Sequence, residues 1–445
     1  MNQPALRSTW TRTRIPDPPT GATTGAAQRV GSRTGSAYRI ERSRYALCYS
    51  CHIIERSRYA LCYSGHIIRD FRTTLGRWSI CIICMLTLFV VLPSNVIAGL
   101  PTPTPTPTPP PIPRGVFCLD KAGVAADSSV LSNPDVDGIV VREWWSAIEP
   151  SDGTYDWSFF DSEVYRAGQA GKTVMLLIVD GGGCMPAWVR AGPGTTYTYT
   201  NPQSTVVTIP VFWDSYYLTK KQALITAFGN KYKNNSTVKV VGIGIANANS
   251  DDWYVPHSTT VDNAVGITQV QEWLNKGYTS QKLIDSCDTI IDAMMVAFPN
   301  QAVYIATNSN GILDSTPNYV EDTVISNERA KWGDQLVVGK NNLSAKTTLP
   351  PPPVDSFFWP WWNSRPAIAA QMLWFCYGDA TYRMNGGVSG DPTTVLENAV
   401  NIGYAYGTQF QEIYKADVEN LPTAITYAHN LLTSPNPPQE LHVVP

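Results

Sequence analysis

GIVVREWWSAIEPSDGTYDWSFFDSEVYRAGQAGKTVMLLIVD (138–180) reads as a strand, a helix and a second strand. GIVVREW (138–144) and TVMLLIVD (173–180) are near-continuous apolar runs, and FFDSEVYRAGQAG (159–171) carries a helical pattern between them. A strand that is apolar along its whole length is covered on both faces, as in a parallel sheet clothed by helices.

The same alternation continues on either side. Further strands are expected at GVFCLD (115–120), VKVVGIGIA (238–246), AVYIATN (302–308), LVVGKNN (336–342), AAQMLWF (369–375) and TQFQEIY (408–414). YLTKKQALITAFGNKY (217–232) and TSQKLIDSCDTIIDAMMVAFP (279–299) are the helical patterns that lead into the fourth and fifth strands. Eight such units over about 330 residues fit an α/β fold of the (β/α)₈ TIM-barrel type with enlarged loops. A doubly wound open sheet is the alternative, but no glycine-rich phosphate loop follows the first strand, and GGG (181–183) lacks nucleotide-binding spacing.

In such barrels the chemistry gathers at the C-terminal ends of the strands. Polar and aromatic residues collect there. Asp120 ends the first strand, and Arg142, Glu143, Trp144 and Trp145 the second. Asp180 ends the third, with Trp188 beyond it. Asn247, Asn249, Asp251, Asp252 and Trp253 follow the fourth, and Asn308 and Asn310 the fifth. Asn341 and Asn342 end the sixth, Gln371 and Trp374 lie on the seventh, and Glu412, Tyr414 and Asp417 close the eighth.

Composition narrows the function classes. The chain has 445 residues, 16% charged, with a formal net charge of −3, which argues against a nucleic-acid binder. Aromatics reach 11%, with 14 Trp and 22 Tyr. Part of this fills a core; the rest suits a groove for molecules with flat apolar faces, such as pyranose rings.

The first 77 residues differ from the rest, being rich in Arg, Ser, Thr and Gly. They contain a direct repeat, ERSRYALCYSCHII (41–54) and ERSRYALCYSGHII (55–68). The Cys48-x-x-Cys51 pair of the first copy is lost in the second, where Gly65 stands, so a metal role is not expected. Residues 1–77 read as a disordered extension or an upstream mis-start. WSICIICMLTLFVVL (78–92), flanked by Arg69, Arg72 and Arg77 and followed by SNVIAG, reads as a signal peptide or signal anchor over 78–98. Residues 99–114 form a Pro/Thr-rich spacer of polyproline II type. The barrel would occupy 115–445. Its cysteines, 118, 184, 287 and 376, show no metal spacing, although export would permit disulfides. The expected location is secreted or cell-surface, with membrane anchoring if the apolar segment is retained.

VREWWSAIEPSDGTYDWSFFDSEVYRAGQAGKTVMLLI (141–178) resembles the second and third strands of clan-A (β/α)₈ glycoside hydrolases, and is most similar to the barrel-type β-galactosidases and related glycosidases. These show an Arg/Trp strand, then I-E-P-x-x-G-x-Y-D-W, then a helix running into G-K-x-V-x-L. MPAWV (185–189) is similar to the Pro-x-Trp after their third strand. Within this stretch Ile148, Tyr155 and Trp157 are expected to pack a loop under the barrel, with Glu149 tying it down.

The resemblance implies an acid/base Glu after the fourth strand and a nucleophilic Glu ending the seventh. This chain departs from both. IANANSDDWYVPH (245–257) offers Asp251 and Asp252, and the seventh strand carries Gln371. Glu412 in QFQEIY is the nearest substitute. Alternation points Phe410, Glu412 and Tyr414 to one side, and if that side is the lumen, burial favours a general acid. The competing reading pairs Glu412 with Arg142 or Lys340. Candidate catalytic residues are therefore Asp252, Glu412, Asp251 and Glu143, the last limited because alternation lets only one of Glu143 and Trp144 face a substrate. Trp144, Trp188, Trp253 and Trp374 would stack sugar rings. Asn247, Asn249, Asn342, Gln371, Asp180 and Tyr414 would bind hydroxyls. No cofactor or metal is expected.

The resulting expectation is an exported hydrolase of a β-linked carbohydrate working by carboxylate chemistry. Its rivals are a surface barrel that binds glycans without cleaving them, and a surface-anchored adhesive protein.

Overall fold

Eight of the strands close into a parallel barrel. In a computed structural model the described residues are 110–249, 252–307, 319–350, 367–381, 383–385 and 387–434. The extension, apolar segment and most of the Pro/Thr spacer lie outside them. The barrel strands are β1 (Gly115–Leu119), β2 (Gly138–Trp144), β3 (Thr173–Val179), β6 (Val238–Ile243), β9 (Ala302–Thr307), β10 (Leu336–Leu343), β11 (Ile368–Met372) and β12 (Phe410–Tyr414). They run round the ring in sequence order, and β12 pairs with β1 to close it. All eight expected strands are present, and the fold is a (β/α)₈ barrel.

The outer layer holds α1 (Ser128–Ser132), α3 (Ser158–Gln169), α5 (Ser215–Tyr232), α7 (Ser280–Ala297), α8 (Tyr319–Trp332), α9 (Pro392–Tyr406) and α11 (Pro422–Thr433), with short helices α2 (Trp145–Ile148), α4 (Ala187–Arg190), α6 (Gln269–Asn275) and α10 (Lys415–Asn420) in the loops. Local chemistry sets their ends. Asp214 caps α5 by accepting from Tyr216 N and Tyr217 N, and Thr279 caps α7 by accepting from Lys282 N. Asp391 caps α9, Pro392 occupies its first turn, and Gly407 ends it at φ 89°.

Strand alternation separates two apolar layers. Phe117, Leu119, Val140, Met175, Val240, Ala302, Tyr304, Val337, Ala369 and Phe410 fill the lumen. The alternate residues, such as Val116, Cys118, Ile139, Val141, Leu176 and Ile413, pack against the helices. The floor is tied by Asp137, whose Oδ2 accepts from Val116 N (2.8 Å) and lies 3.0 Å from His429 Nδ1.

Two small hairpins lie beyond the eight-strand pattern: β4 (Thr196–Thr200) with β5 (Val206–Pro210), and β7 (Val261–Asp262) with β8 (Ile267–Thr268). Tyr197 of β4 stacks on Trp273 of α6 at 3.6 Å between centroids. Asp262 accepts from Thr200 N and Thr200 Oγ1, latching one hairpin to the other.

Ile148 and Trp157 are packed, but the place differs from the expectation. Trp157 stacks on Phe160 of α3 and Phe228 of α5 (6.4 and 5.8 Å), outside the barrel wall rather than under it. Glu149 does tie its loop: Oε2 accepts from Trp145 Nε1 and Oε1 from Gly153 N. Among the described residues the four cysteines are free, and no helix is long and apolar enough to cross a membrane.

Candidate active site

The C-terminal rim of β10, β11 and β12 presents three polar side chains at one level. Gln371 pairs in register with Glu412, and Lys340 pairs with Ala370, so that Asn341 follows where the register of β10 slips against β11. Glu412 is 1% exposed, between Phe410 and Tyr414 on the lumen face of β12. Gln371 donates to Tyr414 Oη at 3.2 Å. Lys340, one residue before Asn341, points the other way and pairs with Glu321 of α8 at 2.8 Å, both buried.

Asp252 joins this rim from the loop after β6, across β9 from β10. It is partly buried, and its Oδ1 accepts from Asn341 Nδ2. Tyr304 Oη donates to Asn341 Oδ1 at 2.8 Å, so the amide is held at both ends. Close packing supports this: a Cβ at Gly339 would lie 2.1 Å from the Tyr304 ring, so only glycine leaves the ring room there. The register of β10 slips between Lys340 and Leu343, and Asn341 rather than Asn342 makes the inward contact. Asn342 is partly buried. Arg142 of β2 donates through Nε and Nη2 to the Asp120 carbonyl (3.0 and 2.6 Å).

The remaining sequence candidates fall into three groups. At the open rim, Trp144 is 49% exposed and Trp374 is 42% exposed, with Trp374 packed on Tyr414 at 5.5 Å and Phe375 at 5.3 Å. Trp144 shares the inward parity of Val140. Glu143 shares the outward parity of Ile139 and Val141 and accepts from Trp144 N at 2.7 Å; burial pushes its pKa up.

The second group is buried structure. Trp253 is 0% exposed within the outer core, which leaves its ring no face at the mouth. Asp180 is 1% exposed and ion-paired with Lys221 of α5, itself 0% exposed and donating to Tyr217 Oη at 3.0 Å. Burial works against the Lys221 ammonium, but the Asp180 carboxylate and the Tyr217 phenol together outweigh it and hold the pKa above the ordinary lysine value. Asp180 therefore pins α5 to the sheet rather than reaching the mouth. Asn247 is buried beside it: a Cβ at Gly244 would lie 2.1 Å from Asp180 Oδ1 and 2.4 Å from Asn247 Nδ2. Trp188 is half-buried against the Glu149 loop, donating through Nε1 to Glu149 O at 3.1 Å, with the Lys220 ammonium 5.8 Å from its ring.

Asn249 is partly exposed beside Gly182. Asp251, Asn308 and Asn310 lie outside the described residues.

Sequence reasoning passed over Tyr304 as a site residue and used Asn341 only as a strand-end amide. Tyr304 sits in an apolar run whose phenol had no visible destination. Among the described residues no group of three or more His, Cys, Asp or Glu is disposed to hold a metal ion.

A parallel eight-stranded barrel with carboxylates and amides at its C-terminal rim is built like the clan-A (β/α)₈ glycoside hydrolases, which this chain resembles. Residues 121–288, spanning β2, β3 and β6, match the family model of the beta-galactosidases of glycoside hydrolase family 42. No curated protein sequence matches. Similar solved structures include the catalytic domain of beta-amylase from Paenibacillus polymyxa, 12% identical, TM-score 0.45, covering 71% of this chain and 96% of that one. Beta-galactosidase from the psychrophilic Marinomonas ef1 is 11% identical, TM-score 0.45, over 72% of this chain and 59% of its own. Beta-galactosidase from Bacillus circulans sp. alkalophilus is 11% identical, TM-score 0.44, over 72% and 56%. The chain thus spans under two thirds of either beta-galactosidase.

Proposed function

We propose that the barrel hydrolyses a β-linked oligo- or polysaccharide, with Glu412 as general acid and Asp252 as general base. The observation that carries this reading is the hydrogen bond from Asn341 to Asp252, which brings the loop carboxylate onto the rim shared by Gln371 and Glu412. The family match over 121–288 supports glycoside hydrolysis as the chemistry.

β10 and β12 are two strand spacings apart, about 10 Å between backbones. With Asp252 reached from the β6 loop through Asn341, a carboxyl separation near that span would leave room for a water between the two groups, the inverting arrangement, whereas a retaining pair needs roughly 5 Å. In the proposed step protonated Glu412 gives its proton to the glycosidic oxygen as the C–O bond breaks. Asp252 takes a proton from the water whose oxygen bonds the anomeric carbon. Glu412 ends ionised and Asp252 protonated, and exchange with solvent restores both. Gln371 and Asn341 would hold hydroxyls, and Trp374 and Trp144 would face sugar rings.

One observation favours a second reading, a barrel that binds glycans intact. Gln371 stands on the seventh strand, and Asn247 and Asn249 follow the fourth, where the resemblance implies glutamates. We further propose export: the apolar segment at 78–92 would direct the chain across a membrane, and the Pro/Thr spacer would hold the barrel clear of the surface.

Reducing-sugar release on a panel of polysaccharides and aryl glycosides tests the reading, with proton NMR of the first-formed anomer. Release with inversion that collapses in Glu412→Gln and in Asp252→Asn is expected. Retained configuration would sink the assignment of roles. No release, with a glycan still retarding the protein in a gel, would favour the binding barrel.

A further inference from the structure

The segment that carries Glu412 continues past Tyr414 into α10, where Asp417 is 0% exposed. Its carboxylate does not serve its own helix. Oδ1 accepts from Cys376 N (2.8 Å) and Tyr377 N (2.6 Å), and Oδ2 also accepts from Cys376 N (2.8 Å). These amides belong to the loop that leaves β11. Arg383, 5% exposed, grips the same loop from the other side: Nε donates to Cys376 O at 2.7 Å and Nη2 to Gly378 O at 3.3 Å. The loop's start is fixed by Leu373 N donating to Leu343 O at 2.8 Å.

What this fastening presents is Trp374. The ring stays 42% exposed while Leu373 just before it and Cys376 and Tyr377 two and three residues after it are tied down, and it leans on Tyr414. An exposed tryptophan gains little from packing, whereas burying a carboxylate is costly unless its hydrogen bonds are met. Here a deeply buried charge is spent on orienting backbone beside an exposed ring. The arrangement therefore serves the ring's position more than the core.

We propose that Asp417 is a positioning residue that locks the Trp374 platform at a fixed place relative to Glu412, making Trp374 one wall of a subsite for a pyranose ring. The inference rests on the carbohydrate reading above. Because Asp417 and Glu412 lie on one short segment, the clamp couples the platform to the strand that carries the acid. A mispositioned platform would weaken sugar binding while leaving the acid in place.

The test compares Asp417→Asn, Trp374→Ala and the double variant in the full protein, with Arg383→Gln loosening the same loop independently. Two readouts are used: KM and kcat on the best substrate of the panel, or gel retardation by the glycan if none is cleaved, and acrylamide quenching of the Trp374 fluorescence, isolated by difference from Trp374→Phe. Asp417→Asn should raise KM, or weaken retardation, by roughly 3- to 10-fold, the scale of one aromatic contact, with kcat within about twofold. The double variant should be no worse than Trp374→Ala, and quenching of Trp374 should rise. Additive losses, or a fall in kcat with KM unchanged, would overturn the proposal. So would unchanged quenching in Asp417→Asn, or in Arg383→Gln if Asp417→Asn does not fold. Should wild type neither cleave nor bind any glycan, the carbohydrate reading and the sugar-wall role would both fail; the quenching arm would still show whether Asp417 positions the ring.

Discussion

Replacing Lys221 by Met removes one half of a fully buried ion pair. Lys221 is 0% exposed and Asp180 is 1% exposed, so water cannot take over the lost partner. Breaking such a pair costs about 3–5 kcal/mol, because an uncompensated charge is left inside. Against a total stability of about 5–15 kcal/mol this is a large fraction. The variant's Asp180 has its folded pKa raised above an unfolded value near 3.9. A raised carboxylate pKa gives stability that is fully present below the unfolded pKa and lost as pH rises through the folded one. The deficit should therefore be largest at pH 7–8 and shrink towards pH 4. Asp180→Asn with Lys221→Met buries no charge and should recover to within about 1–2 kcal/mol of wild type. Guanidinium unfolding from pH 4 to 8 measures all three proteins. A Lys221→Met deficit below 1 kcal/mol at pH 7, or one that is flat with pH, would refute the reasoning. The effect should reach the site as well, because Asp180 and Asn247 share the space left by Gly244, five residues before Asn249.

Three further outcomes are expected. Glu412→Gln and Asp252→Asn should each lower kcat by about 10²–10⁴-fold, the usual worth of one proton-transfer group, and unchanged rates would remove that residue from the mechanism. Burial, with Asp292 and Asp288 adding to it and Lys331 opposing, raises the Glu328 pKa to about 7; its contribution is thus full below the unfolded value and lost as pH rises through about 7, so Glu328→Gln should flatten that fall and gain about 1–3 kcal/mol at pH 8 in chemical unfolding. Gly339→Ala would press a methyl into the Tyr304 ring, and should cost about 1–3 kcal/mol by overpacking and reduce glycan turnover through Asn341; a neutral melt with full activity would mean the ring moves freely aside.

Much of the architecture was legible before any coordinates. Strands such as β3 (TVMLLIV) and β9 (AVYIAT) are buried on both faces, so they are written as apolar runs that need no context to recognise, whereas β11 (IAAQM) and β12 (FQEIY) are legible mainly from their place in the alternation. The small hairpins were missed, although TYTYT (196–200) carries the period-two signal openly. Its Tyr side faces α6 and the loop after β6, not the barrel lumen, so nothing in the eightfold pattern required it. The aromatic candidates divided on packing: Trp144 and Trp374 reach the rim, whereas Trp253 is enclosed in the outer core. Composition cannot separate these, because the same ring suits a core and a sugar.

By itself the sequence determined the strand order, the parallel sheet and the inward parity of Phe410, Glu412 and Tyr414, since these depend on local period and on the hydrophobic cost of exposing either face. Only the tertiary structure decided which polar groups meet. Asp252 finds Asn341 across 89 positions of chain, and Asp417 reaches Cys376 across 41. It also decided that Asp180 is an ion pair with Lys221 and not a rim residue. Such contacts depend on strand register, on the slip in β10 and on the room left by Gly339 and Gly244. These are properties of closed packing in three dimensions, and no spacing along the chain encodes them.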